Sequence, residues 1–242
     1  MLDDFRAAHA LREASVGHHL RLMGVALPYF RQAHRILEIG PGRARFAQDC
    51  LRDKAVTFYE PYEGAASALE ATKPPQWQVM RCDAREGLTG GPYDVVYASH
   101  LIEHLTPEQL YKFLQDCDRV LAPGGYLVLA APMLWAHFYC DITHRQPYMP
   151  HTIARAMTGG FGDMTWAPIS DRYTVVREAI GYEEDYTREG RVQVHPVWER
   201  PFLASRWWVV DGLLAVCRAL LRRCGVRLVR HNSWLLVLRK SA

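Results

Sequence analysis

The sequence predicts an α/β fold built on a mostly parallel sheet with helices on both faces, and three observations predict it. Strand and helix signals alternate from about residue 35 onward, the pattern of a doubly wound sheet. The first apolar run, RILEI, ends in a Gly40-Pro41-Gly42 turn with an acidic residue, Glu38, two places before it. A second apolar run, VTFYE, closes on another acid, Glu60, twenty residues after Gly40. That interval holds a helix and the next strand, so Glu60 is expected at the tip of the neighbouring parallel strand, where a ribose would lie. Together these make the sheet Rossmann-like, with seven strands and an adenosine ligand at their C-terminal ends.

Each element has its own local reason. Strands are expected at 35–39, 56–60, 77–81, 93–98 and 125–131, short apolar runs bounded by turn residues, as befits a sheet covered on both faces. Helices fill the gaps at 44–53, 63–72 and 107–121. The last has a defined start, since Thr106 can cap, Pro107 suits the first helical position and Glu108 and Gln109 follow. Its expected stop is APGG at 122–125. A further short strand is expected in DMTWAP, and NSWLLVLRK at 232–240 is expected as a final antiparallel strand. The chain divides into a helical cap at 1–30, a core at 31–168, an insertion or lid at 169–231 and the closing strand at 232–242.

Composition narrows the class. With 242 residues of which 49% are apolar, the chain can bury a full core as one elaborated domain. Six scattered cysteines show no CxxC pair and no Cys/His ligand spacing, so neither a disulfide framework nor a zinc site is expected, and no metal is assigned. The N-terminus lacks an apolar signal segment and no spanning run of eighteen apolar residues occurs, so a cytoplasmic location is expected. Charge is uneven. From Arg200 onward eight Arg and one Lys face only Asp211, a balance of +8 against +3 for the whole chain, leaving the rest at 3 minus 8, about −5.

The turn itself selects among adenosine ligands. A dinucleotide fold wants a third glycine where this chain has Arg45, and no Gly-Lys-Ser/Thr follows a glycine turn, so dinucleotide and nucleoside-triphosphate sites are disfavoured. The Glu38-Ile39-Gly40-Pro41-Gly42 segment instead resembles motif I of class I S-adenosylmethionine (SAM)-dependent methyltransferases of the methyltransferase-11 type, with Ala44 where that family commonly has a third glycine. Cys82-Asp83-Ala84, YDVVYASHLIEHL at 93–105 and RVLAPGGYLVLAAP at 119–132 resemble the family's later segments in the same order. The resemblance implies SAM as cofactor and S-adenosylhomocysteine as product. It implies a cofactor site made of Glu38, Gly40, Pro41, Gly42, Glu60, Pro61, Asp83, Ala84, Ser99 and His100. In it Glu38 faces the cationic methionine half and Asp83 the adenine amino group. The plainer reading of Asp83 is a loop cap, since Asp readily bonds its own backbone in turns.

Methyl transfer from a sulfonium is an in-line displacement, so positioning is the main task, and a hydroxyl acceptor also gains from a general base. DITHRQPYMPHTIARAM at 141–157 resembles a D-x-T-H segment of methyltransferases from surface-polysaccharide and related glycan clusters, with Gln146 where arginine is more usual. This tilts the acceptor toward a sugar hydroxyl, with a natural product, quinone or other metabolite as the alternative and a catalytically silent SAM-binding partner as a second. The catalytic candidates are His144 as base, Asp141 as its orienting carboxylate, and His104; His137 lies nearby. Two rival readings stay open for His144, a divalent metal held with Asp141 and a loop staple to backbone. His104 is equally readable as a capping or packing group.

The segment at 204–230, with Trp207, Trp208 and arginines among aliphatic residues, has two readings. It is either an interfacial helix on an anionic membrane surface at the inner face or a packed stripe against the protein or a dimer partner. Nucleic acid is not an expected partner, because the basic residues do not frame a groove with stacking aromatics.

Overall fold

The computed structural model describes residues 22–134, 138–160, 166–184 and 229–242. The bulk of the expected cap, all of the apolar basic segment up to residue 228, and the first half of DMTWAP lie outside them. Among the described residues no helix is long and apolar enough to cross a membrane.

In chain order the elements are α1 (Leu27–Arg31), β1 (Arg35–Ile39), α2 (Arg45–Cys50), β2 (Ala55–Tyr59), α3 (Glu63–Thr72), β3 (Gln78–Met80) and β4 (Tyr93–Ser99). A 3₁₀ turn (Ile102–His104) follows, then α4 (Pro107–Val120), β5 (Leu121–Pro132), a second 3₁₀ turn (Phe138–Cys140), α5 (Pro150–Met157), β6 (Tyr173–Glu184) and β7 (Val229–Lys240). The seven strands lie in the order β3-β2-β1-β4-β5-β7-β6. The first five pair in parallel, while β7 pairs antiparallel with both β5 and β6.

Alternation along the strands sends side chains into two cores, one on each face. Leu37, Ile39, Val96, Leu127 and Leu129 join α4 and α5 through Phe113, Leu114, Cys117, Ile153 and Met157. Ile36, Val56, Phe58, Val95 and Val128 join α1, α2 and α3 through Leu27, Phe30, Phe46, Ala47 and Leu69. Apolar side chains on both faces are why these strands read as near-continuous apolar runs. The order reverses between β1 and β4, and ligands of open α/β sheets bind beyond the strand ends at such a switch point.

The start of α4 is as expected. Thr106 Oγ1 accepts from the Gln109 amide at 3.3 Å while Gln109 Oε1 accepts from the Thr106 amide at 2.9 Å, a reciprocal capping box with Pro107 in the first turn. Its end differs from expectation. The strand expected at 125–131 begins at Leu121, directly after the helix, and APGG makes an irregularity inside it, where the β4–β5 register shifts between Tyr93 and Val95. Gly124 has φ 78°, and a Cβ on Gly125 would lie 2.9 Å from the carbonyls of Ala122 and Asp94. The glycines therefore let the strand bend at close quarters, and the helix has already ended at Val120 with Leu121 extended.

A second correction concerns the segment expected as an insertion from 169. Its first part, Tyr173–Glu184, is the outer strand β6 of the sheet, paired with β7 from Tyr173↔Lys240 to Glu184↔Val229. Residues 166–168 form no strand.

Candidate active site

The first wall is built by the turn after β1. Gly40 (φ 66°) and Gly42 (φ 52°) take the left-handed region, and a Cβ on Gly42 would meet nothing within 4 Å, so the backbone there faces open space. Glu60, one residue past β2 and 2% exposed, braces this turn. Its Oε2 accepts from the Gly42 amide at 3.1 Å and its Oε1 from the Tyr62 amide at 3.0 Å. Each carboxylate oxygen keeps a further lone pair, so the group can still accept from a pair of vicinal hydroxyls. Ala44 also sits in the left-handed region, at φ 47° and ψ 35°.

These groups border a cavity of about 660 Å³, within the usual range for small-molecule sites. Of the expected residues, Gly40, Gly42, Glu60, Pro61, Asp83, Ala84, His100 and His104 lie on its wall. Glu38, Pro41, Ser99, Asp141 and His144 do not, and His137 is outside the described residues.

Glu38 is instead enclosed in the sheet. Strand alternation places it on the Ile36 side, and burial pushes its carboxyl up to about 8. Its Oε2 is buried with no hydrogen-bond partner among the described residues. A buried acid in that state can be ionised by a cation brought close to it.

Asp83 is on the wall, but its carboxylate is engaged. Oδ1 accepts from the Arg85 amide at 2.8 Å, and the Arg85 guanidinium grips both oxygens at 2.5 to 3.0 Å. Those Arg85 hydrogen bonds hold the Asp83 carboxyl below its ordinary range. The geometry thus contains the plainer loop cap, and any ligand at Asp83 shares it with Arg85.

At the other end, the turn after β4 faces the loop 138–146. His100 is left-handed at φ 52°, a strained state for a residue with a Cβ, and its amide donates to Ala130 O at 2.9 Å. The amides of Arg145 and Gln146 both donate to the carbonyl of Glu103, tying the loop to the turn. Tyr148 extends that tie. Its hydroxyl donates to Leu105 O at 3.0 Å, and its carbonyl accepts from the indole of fully buried Trp234 on β7 at 2.8 Å.

The expected orientation of His144 by Asp141 is not what this loop builds. His144 Nε2 is 3.9 Å from Asp141 Oδ2, too far for a hydrogen bond. The ring is held at its other nitrogen, where Nδ1 lies 2.6 Å from the Phe138 carbonyl; a carbonyl only accepts, so Nδ1 carries the proton and donates. Asp141 pairs with Thr143, accepting at Oδ1 from its amide at 2.8 Å and from its hydroxyl at 2.6 Å. Those bonds keep the Asp141 carboxyl below the usual carboxylate range. Because the single hydroxyl hydrogen of Thr143 goes to Asp141, its oxygen is left to accept from His104 Nδ1–H at 3.0 Å. Asp141, Thr143 and His104 form one directed chain, and both imidazoles keep Nε2 as the lone-pair nitrogen.

Thr143, Arg145, Gln109 and Phe113 are on the cavity wall although the sequence did not single them out. Thr143 lay inside the D-x-T-H segment, between the two residues that drew attention. Glu103, completely buried beside His104, was visible only as part of LIEHL.

Residues 37–129 match the model of a methyltransferase domain, Methyltransf_11. No curated protein matches the chain. Among solved structures, a SAM-dependent methyltransferase from Archaeoglobus fulgidus is 21% identical, with a TM-score of 0.59 over 93% of this chain and 95% of its own. The N-methyltransferase NodS from Bradyrhizobium japonicum WM9 is 14% identical, with a TM-score of 0.54 over 90% and 94%. The 1,6-didemethyltoxoflavin-N1-methyltransferase of Burkholderia thailandensis, solved with 1,6-didemethyltoxoflavin and S-adenosylhomocysteine, is 13% identical, with a TM-score of 0.57 over 99% and 86%. At these identities the likeness to the solved structures is one of fold.

Proposed function

We propose that this chain is a SAM-dependent methyltransferase, a reading supported by the match of residues 37–129 to a methyltransferase-domain model, and that with S-adenosylmethionine as cofactor it methylates a hydroxyl of a sugar or glycan-related acceptor in surface-polysaccharide biosynthesis. Bound SAM supplies a methyl group on a positively charged sulfur. The residues present fit that group. Glu60, with a free lone pair on each oxygen, takes the ribose hydroxyls, and the open backbone at Gly42 admits the chain that joins ribose to the methionine half. Glu38, off the cavity wall and two residues before Gly40, offers the cationic amino end a buried acid behind the turn and not a wall contact, and Asp83 with Ala84 borders the adenine.

The observation that carries the hydroxyl reading is the Asp141–Thr143–His104 chain, whose Thr143 and His104 lie on the cavity wall. A neutral amine can attack a sulfonium unaided, whereas a hydroxyl has to shed a proton. His104 stands with Nδ1 committed to Thr143 and an Nε2 lone pair toward which that proton can leave. The D-x-T-H resemblance, which implied glycan chemistry, falls on this same wall through Ile142, Thr143 and Arg145. Leu105, Phe113 and Ile142 add apolar surface on which the C–H face of a sugar ring can rest.

Methyl transfer from radiolabelled SAM to a panel of nucleotide sugars, glycans and matched amino sugars tests the reading. An O-methyl ether on a sugar is the expected product. Methylation confined to amines, or to aglycone metabolites with no sugar, would contradict it.

A further inference from the structure

The 3₁₀ turn and the loop 138–146 bring three ligand groups together: one donor atom each of Glu103, His104 and His144 lies within 4.8 Å of the other two. The two rings meet edge to face with centroids 4.8 Å apart. Each imidazole is already fixed from behind, His144 by the Phe138 carbonyl and His104 by the Thr143 hydroxyl that Asp141 holds. In each, Nδ1 is the donor and Nε2 carries the lone pair, the arrangement that outer hydrogen bonds impose on metal-binding histidines.

Glu103 supplies a second, independent observation. It is 0% exposed, and neither carboxylate oxygen has a hydrogen-bond partner among the described residues. His100 Nδ1 comes within 3.3 Å of Oε1 but out of hydrogen-bond alignment. A buried carboxylate in this state is costly unless a cation meets it.

We propose that Glu103, His104 and His144 bind one first-row divalent transition-metal cation at the His104 wall of the cavity, with Glu103 and His144 set behind it. Two imidazole nitrogens and one carboxylate are the donor set that such ions favour over magnesium or calcium, which prefer all-oxygen surroundings. Bonds of about 2.1 Å in a tetrahedral site put ligand atoms about 3.4 Å apart, so loading requires the three side chains to draw together from their present separation. Three protein ligands leave a coordination position for water or for an acceptor oxygen. Only the last step rests on the hydroxyl reading: with His104 Nε2 engaged, the cation takes over acidifying the acceptor hydroxyl.

The test uses the full chain, stripped with a chelator and desalted, then titrated with Co²⁺ and followed by visible absorption and equilibrium dialysis. One equivalent is expected to bind, and Glu103→Gln and His144→Ala are each expected to weaken it at least about tenfold. Circular dichroism and S-adenosylhomocysteine binding should remain at wild-type values in both variants. Absence of a stoichiometric site, or wild-type Co²⁺ affinity in both variants, overturns the proposal. S-adenosylhomocysteine binding reports on the methyltransferase reading separately: its loss from the wild-type chain would sink that reading with cation binding still measurable.

Discussion

His104 Nδ1 and Thr143 Oγ1, 39 residues apart in the chain, lie 3.0 Å from each other on the wall of the cavity. The contact joins the turn after β4 to the loop after β5, so the two segments act as one surface. It also fixes the tautomer of His104, because Thr143 gives its hydrogen to Asp141.

Replacing His104 by Ala is expected to lower turnover at least about tenfold, the low end of what a positioned base contributes, with S-adenosylhomocysteine affinity unchanged. Thr143→Val, which keeps the shape and deletes the hydroxyl, should lower turnover in the same direction by a smaller factor, and Thr143→Ser should restore it. Steady-state kinetics with a methylated sugar as readout check this; full activity in both His104→Ala and Thr143→Val would remove the chain from the mechanism.

Glu38 makes stability depend on pH. Its folded carboxyl is raised to about 8 from 4.5 by burial, so between those values the native state binds more protons than the unfolded one. Ligand-free stability is therefore full below the unfolded value and falls as pH rises toward the folded one. Melting temperature should decline between about pH 5 and about pH 8 in the wild type and decline less in Glu38→Gln. Binding of cationic SAM beside this carboxyl should release a proton near neutral pH, seen as a calorimetric enthalpy that varies with buffer ionisation. A buffer-independent enthalpy would separate Glu38 from the methionine end.

Ala44 carries a left-handed backbone that costs a residue with a Cβ about 1–2 kcal/mol. Ala44→Gly relieves that cost, but it adds about 0.4–1 kcal/mol of unfolded-state freedom and gives up a methyl that is 1% exposed. The net change in urea unfolding should stay within about 1 kcal/mol. Ala44→Val, β-branched and overpacked in the same conformation, should destabilise by at least about 2 kcal/mol. A stable Val variant would mean that the turn is not held in this state.

Tyr148→Phe removes the donor to Leu105 O within a buried tie, and leaving that carbonyl without its partner should cost about 1–3 kcal/mol of unfolding free energy. The same change loosens the acceptor wall, so the acceptor KM should rise while S-adenosylhomocysteine affinity holds. An unchanged KM would show that the wall keeps its shape without the tie.

Much of this was legible because local chemistry and global fold agree. Glu38 and the Gly40-Pro41-Gly42 turn announce the end of β1, Glu60 the end of β2, and Thr106 with Gln109 the start of α4. β6 was not legible. It is an outer strand with Val175, Val176 and Ile180 partly in solvent, it carries Arg177, Glu178, Glu183 and Glu184 in its sequence, and its pairing with β7 spans a long stretch of chain. Its apolar pattern is broken by two register shifts, between Val175 and Arg177 and between Gly181 and Tyr182. In the site, the three-residue spacing of Asp141 and His144 suggested a pair, yet the Phe138 carbonyl captured the imidazole and Thr143 captured the carboxylate. Which of several nearby acceptors a histidine chooses depends on loop geometry that spacing does not encode.

The central claim is that the cavity beside Glu60 is the S-adenosylmethionine site with an acceptor wall at His104, and calorimetric titration of S-adenosylhomocysteine tests it most directly. The account predicts 1:1 binding to the wild type, at least about tenfold weaker binding to Glu60→Ala, where the ribose acceptor and the brace on Gly42 are lost together, and wild-type affinity in His104→Ala. Equal binding to wild type and Glu60→Ala, or no binding at all, would contradict it.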